Sequence, residues 1–96
     1  MEYVYVSRED DTKVIADYKK RMEAGSLQSL VASYNKEAKC GIVGVRQQAL
    51  YLIALRQEFR ERLIESPVYL LEHVLGLVGP IEIVDGNIRI KEKRKL

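Results

Sequence analysis

Fifteen residues, Ala49 to Leu63, read ALYLIALRQEFRERL and set the tightest limit on what this chain can fold into. At about 100° per residue, a helix here gathers Val45, Ala49, Leu52, Phe59 and Leu63 on one side and Gln47, Glu58 and Glu61 opposite. Leu50, Ala54 and Ile64 add apolar surface on the polar side, so the first half is apolar nearly all round. Such a helix is either sandwiched by the chain's other elements or covered by a second chain. The surface of Leu50, Tyr51, Ala54 and Leu55 is the candidate for self-association, with Arg56 and Arg60 beside it. Arg56 falls inside the apolar cluster. Its guanidinium either snorkels to water over a packed stem or is held as a planar fork by a partner: a carboxylate, with Asp17 and Glu72 as candidates, an anionic ligand, a helix C-terminal carbonyl or a group on a second chain.

Other elements flank this helix, which the pattern carries from about Val45 to Glu65. Tyr3–Val6 is rich in β-branched and aromatic residues and predicts a strand. Ser7 and Asp10 have capping-box spacing, so a first helix is expected from there to about Ala24, with Val14, Ile15, Tyr18 and Met22 as its apolar stripe. Gly25 fits a left-handed helix end. Ser26 caps a second helix whose stripe is Leu27, Leu30, Val31, Tyr34 and Ala38, ended by Gly41.

Ser66-Pro67 stops the third helix. Beyond it, Ser66 as N-cap and Pro67 at the first helical position predict a short fourth helix to Leu75, while Val68–Val78 also reads as a buried strand. Ile81–Val84, Asp85-Gly86 and Asn87–Ile90 form a two-residue hairpin, because Asp-Gly suits the positive φ angles of a type I′ turn. That register opposes Ile81 to Ile90, Glu82 to Arg89 and Ile83 to Ile88. The fold class is α+β: three main helices with a small antiparallel sheet made of this hairpin and, as an option, the N-terminal strand. Residues 1–91 make one domain and 92–96 a basic tail.

Charge is unevenly placed. The net +2 combines a final RIKEKRKL carrying +4 with a body of −2. A binder of nucleic acid through its folded face usually shows the opposite. A lone Cys40, an acidic N-terminus and a longest apolar run of seven residues, Ala49–Leu55, give an expectation of a cytoplasmic protein with no membrane span.

Gly41-Ile42-Val43-Gly44 lies between two helices and resembles the backbone-clamping GxxG loop of KH-type RNA-binding domains. The likeness covers these four residues and the flanking helices, and implies RNA contact at Gly41 and Gly44. Ile42 and Val43 are apolar where such loops are usually polar or basic, and the order of elements departs from both KH topologies. The same glycines serve equally as a helix end and a tight turn. Arg46, in the first turn of the third helix, could hold an anion there. In the tail, Lys91, Lys93, Arg94 and Lys95 are the candidate phosphate contacts.

Catalytic signals are sparse. The single His73 and single Cys40 leave few general acid–base options, and no metal or cofactor motif is present. The expectation is therefore a non-catalytic protein-interaction module, without cofactor, that self-associates through the third helix. The alternative is a nucleic-acid-binding module using the basic tail and the GIVG turn.

Overall fold

The apolar third helix is satisfied within its own chain. In the computed structural model, which describes residues 2–91, α3 spans Arg46–Glu61 and buries Ala49, Leu50, Leu52, Ile53, Ala54, Leu55, Glu58 and Phe59. It packs along α1 (Asp11–Glu23), and meets α2 (Leu27–Cys40) and β2 (Val68–Leu71) on other sides. The remaining elements are β1 (Glu2–Val4), β3 (Val74–Leu77), β4 (Ile81–Val84) and β5 (Asn87–Ile90). The protein is α+β, with three helices and two small antiparallel sheets.

Burying side chains such as Leu52, Leu55 and Phe59, all fully enclosed, stabilises the fold by roughly 1.5–3 kcal/mol each. Leu50, Ala54 and Leu55 are at most 4% exposed, so the surface expected from them is core. Tyr51 is half-buried and meets the Tyr18 ring edge-on, centroids 5.3 Å apart.

Two expected helix ends differ. α1 starts at Asp11, not after Ser7, and Asp10 makes no side-chain cap. The Asp11 carboxylate instead accepts the Arg8 N–H at 2.7 Å, which holds the preceding residues in a turn. α3 ends four residues before Glu65. The Leu63 N–H reaches the Arg60 carbonyl at 3.0 Å and the Ile64 N–H the Phe59 carbonyl at 3.0 Å, the crossed pattern that closes a helix. Leu63 supplies the left-handed residue, at φ 61°, where glycine is usual.

Ser26 caps α2 as expected, its hydroxyl accepting the Ser29 N–H at 3.1 Å. Gly25 is not left-handed. A Cβ there would stand 2.7 Å from the Ser29 hydroxyl oxygen, so close approach explains that glycine.

No fourth helix forms. Val68–Leu77 is a hairpin turned at Glu72-His73, and β3 is the centre of a β1-β3-β2 sheet. Val68, Leu70, Leu75 and Leu77 share the face toward the core, a period of two that a helix could not satisfy. Tyr69 lies across Gly76, where a Cβ would come within 2.1 Å of the ring. β1 thus pairs with β3 rather than with the C-terminal hairpin.

The β4–β5 hairpin has the expected register. Asp85 and Gly86 take φ of 52° and 78°, the two positive angles a type I′ turn requires. Glu82 and Arg89 pair at 2.5 Å. α2 tethers this second sheet. The Asn35 amide donates to the Ile81 carbonyl and accepts the Ile81 N–H, both at 2.9 Å, and the Tyr34 hydroxyl donates to Gly79 at 2.8 Å.

Candidate functional site: the cleft between helix 3 and strand 2

Four arginines lie on α3 or at its end, and two of them hold the fold together. Arg46 donates to the Val6 carbonyl at 3.0 Å and to the Asp11 carboxylate, with its guanidinium 5.4 Å from the centre of the Tyr5 ring. Asp11 also accepts the Tyr5 hydroxyl at 2.7 Å. Burial alone would push this carboxyl up, but the bonds from Tyr5 and the Arg8 N–H and the charge of Arg46 outweigh it and hold it below 3.8. At the other end, Arg62 donates to Glu58 at 2.8 Å and to the carbonyls of Met22 and Gly25 at 3.1 and 2.7 Å. A cation is thereby set against the C-terminal carbonyls of α1, where the helix dipole favours it.

Arg56 and Arg60 are different. Among the described residues neither donates a hydrogen bond or forms an ion pair, and neither Asp17 nor Glu72 reaches Arg56. Burial, and then the neighbouring charge of Arg60, lower the Arg56 guanidinium from its ordinary value. Both line a shallow, open cleft of about 420 Å³ between the end of α3 and β2, with Leu63, Tyr69, Leu70 and Leu71. Glu65 brings the one carboxylate on this lining. Leu63, 93% exposed, stands in water beside these two unpaired cations, while Leu71, 69% exposed, turns with Tyr69 to the other face of the sheet.

The cleft is bordered by an open sheet edge. The Tyr5 N–H bonds to the His73 carbonyl at 2.6 Å, so the backbone groups of His73 and Leu75 face β1. Val74 and Gly76 then face β2, and Tyr69 and Leu71 face back to them. Val68 and Leu70 must point their N–H and C=O outward. The Ser66 hydroxyl takes both groups of Val68, at 3.1 and 2.8 Å. Leu70 has no such partner among the described residues.

The other expected contacts are not brought to this place. Gly41 ends α2 with φ 79° and Gly44 has φ 81°, but both lie at the opposite end of α3, about 24 Å away along a 16-residue helix. Gln48 brackets the GIVG loop, accepting the Val43 N–H and donating to the Gly41 carbonyl, both at 3.0 Å. The expected anion contact of Arg46 is replaced by its bonds to Asp11 and Val6. Lys91 is exposed and its N–H bonds to Pro80 at 2.9 Å. Lys93, Arg94 and Lys95 lie outside the described residues. Cys40 is exposed rather than packed, and His73 sits in the exposed β2–β3 turn.

Among the described residues, no three His, Cys, Asp or Glu side chains cluster as metal ligands, and no helix is long and apolar enough to cross a membrane. Comparison with protein-family models, with curated proteins and with solved structures gives no match.

The apolar period of α3 marks Arg56 and Arg60 in the sequence, but nothing there marks the strand edge beside them. Glu58 and Arg62 have the i, i+4 spacing that favours such a pair, but the apolar period sets Glu58 on the polar side and does not mark it as buried. The pairing of Asp11 with Arg46, 35 residues away, left no local signal.

Proposed function

We propose that this chain is a non-catalytic protein-interaction module that receives an acidic partner in the cleft between α3 and β2. The observation that carries this is the pair Arg56 and Arg60, one helical turn apart and matched to no carboxylate, beside the exposed Leu63. Cations beside apolar side chains suit a protein surface of opposite charge. The contact surface moves from the first half of α3, whose apolar residues are core, to its last turn. A second copy docked on the same face would set Arg56 and Arg60 against their own counterparts, so charge favours a different chain over self-association.

The test compares the wild type with the double variant Arg56→Glu/Arg60→Glu as bait in an extract of the source cells. An acidic protein retained by the wild type and lost from an equally folded double variant supports the reading. Equal recovery by both baits overturns it. Retention of RNA or DNA that the same variant abolishes assigns the cleft to nucleic acid instead.

A further inference from the structure

We infer that the occupant of the cleft is an extended acidic segment of a partner protein, added as a strand to the free edge of β2. This rests on the reading above and names the mode of binding. Three independent observations carry it. Leu70 turns its N–H and C=O outward at the sheet edge without a partner among the described residues. Such an edge is a ready template for another strand. The Ser66 hydroxyl occupies the only other outward-facing residue of β2, Val68, and a rotation of that hydroxyl releases both groups.

Charge supplies the second observation. Side chains of an added strand that share a face with Val68 and Leu70 point toward α3, where Arg56 and Arg60 line the cleft. Alternate residues of a strand lie about 6.6–6.8 Å apart, close to the roughly 6 Å rise between residues four apart on a helix. Two carboxylates at positions i and i+2 therefore have a spacing comparable to that of Arg56 and Arg60 along α3. Intervening side chains fall on the face of Tyr69 and Leu71, where an apolar residue covers the exposed Leu71. The segment read is an alternation of acidic and apolar residues.

The third is Leu63. A leucine at φ 61° is strained where glycine would not be, and it is 93% exposed at the lip of the cleft. A strained, solvated leucine contributes nothing to the core. Its side chain has a use if an incoming segment packs on it.

The probe is an acetylated, amidated heptapeptide alternating glutamate and valine, titrated into the full chain at low salt and followed by amide NMR. Binding should slow hydrogen exchange at the Leu70 amide. It should weaken at least tenfold in Arg56→Glu/Arg60→Glu, for the glutamine–valine peptide, and for a peptide N-methylated at the residues that must pair. Leu63→Gly should weaken binding while raising the melting temperature, which separates loss of contact from loss of fold. Binding of the acidic peptide without protection at Leu70, or undiminished by N-methylation, overturns strand addition but leaves an acidic partner in place. Equal binding of the glutamine peptide overturns charge recognition. No binding of the acidic peptide overturns the inference, while the bait comparison judges the interaction module separately.

Discussion

Arg46 and Arg62 bracket α3; Arg56 and Arg60 stand between them near its end, and the two pairs meet opposite surroundings. Arg46 and Arg62 each reach a buried carboxylate and at least one backbone carbonyl from another part of the chain. Arg56 and Arg60 face each other and a cleft. The contrast separates cations that assemble the fold from cations the fold leaves available. A charge among apolar neighbours is costly without a partner, so an arginine left half-buried and unpaired marks a place where the fold alone offers no counter-charge.

The largest effect should come from breaking an assembling pair. Arg62→Ala strands the Glu58 carboxylate, which is 5% exposed. Because the Arg62 side chain keeps some contact with water, the loss should be about 2–3 kcal/mol, below the figure for a fully buried pair. For a domain of this size that lowers Tm by roughly 10–20 °C in a thermal melt.

Acid tests the other assembling pair. Asp11 is held below its ordinary 3.8, so in the folded state it gives up its proton more readily than in the unfolded chain. Its contribution is full above pH 3.8 and is lost as pH falls through the folded value. Wild-type Tm should drop below pH 3.8 more steeply than that of Asp11→Asn, in melts taken from pH 5 to pH 2. Parallel curves would remove Asp11 from the assembling set.

Two smaller effects should carry the opposite sign, on the cleft side. Leu63→Gly relieves a left-handed leucine, a strain of about 1–2 kcal/mol, and after the extra chain entropy of glycine a gain of about 0.5–1 kcal/mol should remain. Arg56→Glu, in mid-helix and away from the dipole's end, replaces a like-charged i, i+4 neighbour of Arg60 with an opposite one in the favoured acid-before-base order and should stabilise by a few tenths of a kcal/mol, about 0.2–0.5. Denaturant midpoints at low salt resolve both. A destabilised Leu63→Gly would show that its side chain serves the fold.

The legibility of these regions in the sequence follows their local chemistry. The β4–β5 hairpin was readable to the register because Asp85-Gly86 names its turn and each strand alternates. The β2–β3 hairpin lies in VYLLEHVLGL, where Glu72-His73 interrupts the apolar residues without a turn-forming residue. Its turn is Glu72-His73, with Glu72 at φ 56° and no glycine, asparagine or proline to announce it. The end of α3 was overrun for the same reason, since Leu63 occupies the left-handed position where a glycine would have been seen.

The helical wheel placed Arg56 on the apolar side but could not show that this side runs out at a sheet edge. That edge depends on β1 pairing with β3 across some 70 residues, as in Glu2 with Gly76. Likewise, nothing in the periodicity tied Arg46 to Asp11. The apolar run of α3 was legible as needing cover, and the source of that cover, α1 and the sheet, was a matter of tertiary structure.

Thermal melts of Arg46→Gln, Arg56→Gln, Arg60→Gln and Arg62→Gln, taken side by side, test the division of the four arginines most directly. Arg46→Gln and Arg62→Gln should each lower Tm by about 8 °C or more, and Arg56→Gln and Arg60→Gln should stay within about 4 °C of wild type, as positions with no ion pair to lose do. A fall at Arg56→Gln as deep as that at Arg62→Gln would contradict the account, because it would make Arg56 part of the fold's own framework.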